Sequence, residues 1–153
     1  MELLVCVKQV PDDSVAVTLD ANGAPKVAEI TPVVNAFDTY ALEMAARFKE
    51  ANGGSVTVLS VGGEEVVPSL RSCLAVGADY AYLAANDAYQ SADPEIIAKE
   101  LKAAKEAIEE KTGKKFDIVF CGKETTDFAS GQVGTILAKE LDVPVTADIV
   151  DIT

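Results

Sequence analysis

Four short apolar runs, each followed by a segment with helical periodicity, constrain this chain more than any other feature. They are residues 2–10 (ELLVCVKQV), 55–61 (SVTVLSV), 78–85 (ADYAYLAA) and Ile118-Val119-Phe120. Continuous apolar runs of this length suit strands buried on both faces. Strands that alternate with helices run parallel and are joined by right-handed crossovers. The expected fold is α/β: a doubly wound, Rossmann-like, mostly parallel sheet with helices on both faces, residues 1–153 forming one domain. Pro144 to Ile152 alternates apolar and polar residues and is expected as a fifth strand. The first run closes on Pro11-Asp12-Asp13 and should be central. Residues 15–30 carry Asp20-Ala21-Asn22-Gly23 between two β-prone runs, which predicts a small β-hairpin excursion.

Between the strands the punctuation is helical. Asn35 or Asp38 can cap a helix that turns Leu42, Ala45, Ala46 and Phe48 inward and stops near Asn52-Gly53-Gly54. A second helix is expected over 64–76, with Val66, Val67, Leu70, Leu74 and Ala75 inward and Pro68 in its first turns. Residues 86–93 form a polar loop. Asp93-Pro94 then opens a long helix with Ile96, Ile97, Leu101, Ala104 and Ile108 inside, ending at Gly113. Its Lys/Glu-rich face over 95–115 reads as solvated surface.

Composition narrows the function. At 49% hydrophobic, the 153 residues can bury a sizeable core. A net charge of −12 argues against nucleic acid, which is bound through Lys and Arg. No stretch approaches the ~20 apolar residues that span a bilayer, and the N-terminus lacks the pattern of a signal peptide. Cys6, Cys73 and Cys121 are far apart among apolar neighbours, which fits reduced, buried thiols and a cytoplasmic protein. The chain has no histidine. That absence excludes Ser-His-Asp and Cys-His triads and HExxH zinc sites.

The segment Phe116–Leu141 is the candidate site, because a strand there feeds a helix through a polar loop. Unpaired backbone N–H groups and the positive end of a helix dipole converge at such a junction and stabilise an anion. Gly122 allows close backbone approach; Thr125, Thr126, Asp127 and Ser130 offer polar groups; Gly131 and Gln132 stand at the helix start. The same pattern also describes a plain capped helix, with Thr126 or Asp127 as N-cap. Neither a Walker loop nor a GxGxxG fingerprint is present. If the first strand is central, the loops Val7–Pro11, Val61–Gly63 and Gly122–Gln132 converge at the carboxyl edge of the sheet, where α/β folds bind ligands. Lys8 could reach a phosphate from there or stand in solvent. Gly62-Gly63 reads as a turn, Cys6 and Cys121 as core thiols, and Lys123-Glu124 as a surface pair. No constellation looks catalytic.

VCVKQVPD at 5–12, Asn35 before ALEMAARFKE at 41–50, VTVLSVG at 56–62, LAVGAD at 74–79 and CGKETTDFASGQVG at 121–134 together resemble the β subunit of electron transfer flavoproteins. The likeness covers essentially the whole chain. It implies an adenine-nucleotide-binding electron carrier subunit, not an enzyme in its own right. The implied cofactor is AMP, or a second FAD in electron-bifurcating members. The implied partner in a heterodimer is an α subunit carrying the redox-active FAD. Carried over by position, the nucleotide contacts fall on Cys6, on Asn35, Ala36, Phe37 and Asp38, and on Val61. The remainder fall on Gly122, Lys123, Thr125, Thr126, Asp127, Ser130, Gly131, Gln132 and Val133.

The resemblance departs at Phe128 and Ala129, where the family commonly has acidic residues. Family members also continue past a fifth strand into a segment that wraps the α subunit and docks on acyl-CoA dehydrogenase-type partners, so this chain is expected to be a truncated domain or a reduced relative. A rival expectation is a free-standing adenine-nucleotide sensor or hydrolase similar to universal stress proteins, since one fold hosts many functions.

Overall fold

In the computed structural model, which describes residues 1–89 and 93–152, the first apolar run is divided. β1 (Glu2–Cys6) enters the main sheet, whereas β2 (Gln9–Pro11) leaves it and pairs antiparallel with β3 (Pro32–Val34). The break falls at Lys8 because its backbone is claimed from outside the sheet. Its N–H donates to Asp38 Oδ2 at 2.8 Å, and its carbonyl accepts from Asn35 N–H at 2.9 Å.

The main sheet also contains β4 (Ser55–Gly62), β5 (Tyr80–Ala85) and β6 (Ile118–Cys121), in the order β5-β4-β1-β6 and all parallel. Register pairs Val5 with Val58 on one side and with Phe120 on the other. β1 is therefore central, as its apolar run predicts. Leu3, Val5, Val56, Val58 and Leu59 are fully buried, which explains why these strands are apolar without alternation.

The connections are α1 (Ala36–Asn52), α2 (Val67–Ala75), α3 (Pro94–Thr112) and α4 (Val133–Leu141). α1 packs on β1, β4 and β6, and α2 on β4 and β5; α3 packs on β4 and β5 and against α4. Right-handed crossovers put α1 and α2 on one face and α3 on the other, since the chain winds one way through β4 and β5 and returns to reach β6. Asp93 caps α3 as expected, its Oδ1 accepting Glu95 N–H at 2.8 Å, and Gly113 ends the helix with φ 69°.

Several expectations change. The fifth strand is absent among the described residues. Val143, Val145, Ile149 and Val150 are exposed, and Asp148 at φ 55° breaks the extended path midway, so the alternation finds no neighbouring strand to pair with. The hairpin over 15–30 shrinks to one bridge, Leu19 with Pro25, around the Asp20 turn. α2 is preceded by a 3₁₀ turn at Glu64–Val66. Its tighter winding shifts the inward face to Val66, Ser69, Leu70 and Cys73, leaving Leu74 and Ala75 exposed. Ile96 is also exposed, and Glu109 on the charged face of α3 is buried, accepting from Lys105 Nζ at 2.7 Å and Phe116 N–H at 2.8 Å.

Candidate functional site

The winding reverses between β1 and β6, and their carboxyl ends part there. Asp38, in the first turn of α1, bridges the gap. One carboxylate oxygen takes the Lys8 N–H, and the other takes the Gly122 N–H at 3.1 Å. Gly122 is required at that position, because a Cβ would collide with Asp38 Oδ1 and stand 2.8 Å from the carbonyl carbon of Phe37.

Asn35 fastens the loop that follows β6. It is the N-cap residue of α1 and fully buried, but its side chain does not cap that helix. Its Nδ2 donates to the Glu124 carbonyl at 2.8 Å, and its Oδ1 accepts Thr126 N–H at 3.1 Å. The loop then tightens through Ala129 N–H to the Thr125 carbonyl at 2.8 Å, with Ala129 at φ 51° and Gly131 at φ 60°. α4 begins only at Val133, so neither Thr126 nor Asp127 is its N-cap. Gln132 holds that position without a side-chain bond. The first i to i−4 bond runs from Ile136 N–H to Gln132 O. The first-turn N–H groups ahead of it receive no side-chain cap.

These elements enclose a cleft of about 620 Å³ beyond the carboxyl ends of β1, β4 and β6, within the usual range for small-molecule sites. One wall is the loop from Gly122 to Gly134, and its floor includes Cys6, Val7 and Val61. A second stretch of the lining is largely apolar: Tyr89, Pro94, Ile97 and Leu101. Lys8 stands at the rim, 2.6 Å from Asp127 Oδ2 and 4.7 Å from the centre of the Phe128 ring.

Among the residues singled out from sequence, Cys6, Asp38, Val61, Gly122, Lys123, Thr125, Ser130, Gly131, Gln132 and Val133 line the cleft. Asn35, Ala36, Phe37, Thr126 and Asp127 do not. Asn35 and Thr126 hold the loop, Asp127 holds Lys8, and Ala36 and Phe37 form the first turn of α1. Of the three loops expected to converge, Gly62, Gly63 and Gln9–Pro11 stay out of the lining. Lys123 pairs with Asp148 at 3.0 Å rather than with Glu124. The α3 wall was missed because Ile97 and Leu101 carry the same apolar signal as core. Lys8, for which the sequence allows either a phosphate or solvent, lines the cleft and contacts Asp127 and Phe128.

Burial pushes the Asp38 carboxyl up to about 6, against the N–H groups that favour its ionised form. The thiols of Cys6 and Cys121 are register partners on β1 and β6; this neighbour, together with burial, holds Cys6 well above the ordinary thiol range. Cys6 is thus a neutral wall of the cleft and not a nucleophile. Among the described residues no cluster could hold a metal ion, and no helix is long and apolar enough to cross a membrane. An anion with a flat apolar body suits the arrangement: the start of α4 for its charge and the α3 wall for its body.

Comparison with known proteins gives the same direction. The model of the electron transfer flavoprotein domain matches residues 15–153. The chain is 41% identical over 150 residues to the electron transfer flavoprotein subunit beta of Thermoanaerobacterium thermosaccharolyticum, covering 94% of this chain and 53% of that protein. It is 36% identical to the caffeyl-CoA reductase-Etf complex subunit CarD of Acetobacterium woodii, over 99% of this chain and 56% of the relative. Against Protein FixA of Azotobacter vinelandii the identity is 36%, over 93% and 50%. The chain spans about half the length of these curated relatives. The family-model match over residues 15–153 places the chain in the electron transfer flavoprotein domain family.

Proposed function

We propose that this chain is the nucleotide-binding part of an electron transfer flavoprotein β subunit, holding AMP or a second FAD at the carboxyl edge of its sheet. The observation that carries this reading is the cleft itself, which joins an uncapped helix start on one wall to an apolar wall from α3. The phosphate would rest on backbone N–H groups from Ser130 to Val133 and the adenine against Val61, Ile97 and Leu101. A bound flavin supplies the redox chemistry; the protein positions it and sets the field around it.

The chain acts as a carrier subunit and not as a catalyst, in a heterodimer with an FAD-carrying α subunit that accepts electrons from acyl-CoA dehydrogenase-type partners. The names of the relatives support that role: one is a subunit of a reductase-Etf complex, and another is an acryloyl-CoA reductase electron transfer subunit. Three free thiols favour a reducing, cytoplasmic setting. Titration of the ligand-stripped protein with AMP and FAD should give saturable binding, and purification from its own cell should bring an FAD-containing partner. A colourless protein that hydrolyses ATP would instead support the free-standing sensor or hydrolase.

A further inference from the structure

Cys6 and Cys121 carry a chemistry that nucleotide binding does not use. They are register partners on β1 and β6, the two strands that part at the cleft. Neighbouring strands lie about 4.8 Å apart, and register partners send their side chains to the same face of the sheet. The two thiols accordingly interact with each other, and both line the cleft. Neither is tied up in a disulfide.

The pair is reached from the cleft and not from the core. Cys121 is half-buried, and Cys6 is 8% exposed. Gly134, which also lines the cleft, stands beside Cys121; a Cβ there would be 3.2 Å from Cys121 Cβ and 3.6 Å from its Sγ. The sulfur therefore lies against the start of α4, at a part of the wall that has no side chain. Cys73 is the contrast: it sits on α2, 1% exposed and outside the lining.

Sulfur is a soft ligand, and two thiols are fewer than a structural metal ion takes. They match trivalent arsenic that carries one organic group and has two positions to exchange. When an organic arsenoxide condenses with two thiols, two arsenic–sulfur bonds replace the bonds to oxygen. The two thiol protons leave with that oxygen as water, and nothing is oxidised or reduced. The reaction consumes neutral thiols, so the burial that keeps Cys6 protonated does not oppose its balance. Once one bond has formed, the second closes within the molecule, which raises affinity by about 10²–10⁴ over a single thiol.

We infer that Cys6 and Cys121 form a dithiol site for trivalent organoarsenicals, bridged across β1 and β6 at the floor of the cleft. The site stands on the two sulfurs and is independent of which ligand the cleft holds.

Phenylarsine oxide is the probe, used on the natural protein stripped of bound ligand. The wild type should retain it against excess glutathione, a monothiol, and release it to dithiothreitol. Cys121→Ala and Cys6→Ala should each weaken retention by roughly a hundredfold, and Cys73→Ala should leave it unchanged, with circular dichroism spectra that coincide. In the wild type the reagent should also protect Cys6 and Cys121 together from alkylation, a readout that needs no variant to fold. No retention by the wild type, wild-type retention in Cys121→Ala, or protection of only one of the two cysteines overturns the inference.

Discussion

The carboxylate of Asp38 accepts the backbone N–H of Gly122 at 3.1 Å, and it leaves no room for a side chain at residue 122. α1 thereby grips the end of β6 at the point where β1 and β6 part. Gly122→Ala must either displace that carboxylate or push the strand end away, at a cost of about 1–3 kcal/mol, the usual range for overpacking. Urea unfolding should show the loss as a lower midpoint; an unchanged midpoint would mean that Asp38 is not held as described.

Asn35→Ala should be costlier than its single amide suggests. The change leaves the Glu124 carbonyl and the Thr126 N–H without their partner in a part-buried setting, for a loss of about 1–3 kcal/mol. Amide hydrogen exchange should accelerate across residues 122–132 and stay slow in β1 and β4. Uniform acceleration would assign Asn35 to the general stability of α1 instead.

Asp38 gives a signed pH dependence. Its carboxyl titrates near 6 in the folded chain against an ordinary value of 3.8, so between those values the folded state holds a proton that the unfolded state has released. The stabilisation is complete below about 3.8 and is lost as pH rises through about 6. Asp38→Asn removes that term. The stability gap between wild type and variant should widen in favour of the wild type from pH 7 to pH 4, by up to roughly 3 kcal/mol. A gap independent of pH would place the Asp38 titration elsewhere.

The Lys8–Asp127 pair is partly open to solvent, with side-chain exposures of 27% and 19%. Its coupling energy, from a double-mutant cycle with Lys8→Met and Asp127→Asn, should lie below about 1 kcal/mol and shrink in salt. A much larger, salt-insensitive coupling would contradict a rim location.

Gly131 combines two requirements. With φ at 60°, a β-branched residue is strained there, so Gly131→Val should lose about 1–3 kcal/mol of stability as well as the proposed nucleotide affinity. Gly131→Asn tolerates the left-handed region and should fold more like the wild type. Nucleotide affinity unchanged in the Val variant would move the phosphate contact away from this loop.

The sheet and its helices are legible in the sequence because each signal has a physical cause that tertiary context does not reverse. Leu3, Val5, Val56 and Val58 are apolar since both faces of their strands are covered, and Asp93-Pro94 and Gly113 mark a helix whose caps are made locally. The convergence of Val7, Val61 and the Gly122 loop is likewise readable from parallel topology alone.

What stayed hidden depends on partners distant in sequence. Val145 and Ile149 alternate like a strand, but pairing needs a neighbour that the alternation cannot supply. Asn35 has the residue type of an N-cap, and nothing local reveals that its amide turns to Glu124 and Thr126. Lys8 and Phe128 are 120 residues apart in sequence, and only the fold brings ammonium and ring together.

The Asn35 and Asp38 contacts also fix when the cleft can form. Their partners lie 84, 89 and 91 residues further along the chain. During synthesis from the N-terminus, α1 and most of the sheet precede the loop they are built to hold. Until Thr126 has emerged, the Asn35 amide lacks its partners, and until Gly122 has emerged the Asp38 carboxylate holds only the Lys8 N–H. The candidate site is thus complete only with the last strand: a nascent chain that ends before β6 and its loop has the residues of β1, β4 and β5 but lacks the wall that Gly122 to Gly134 gives the cleft.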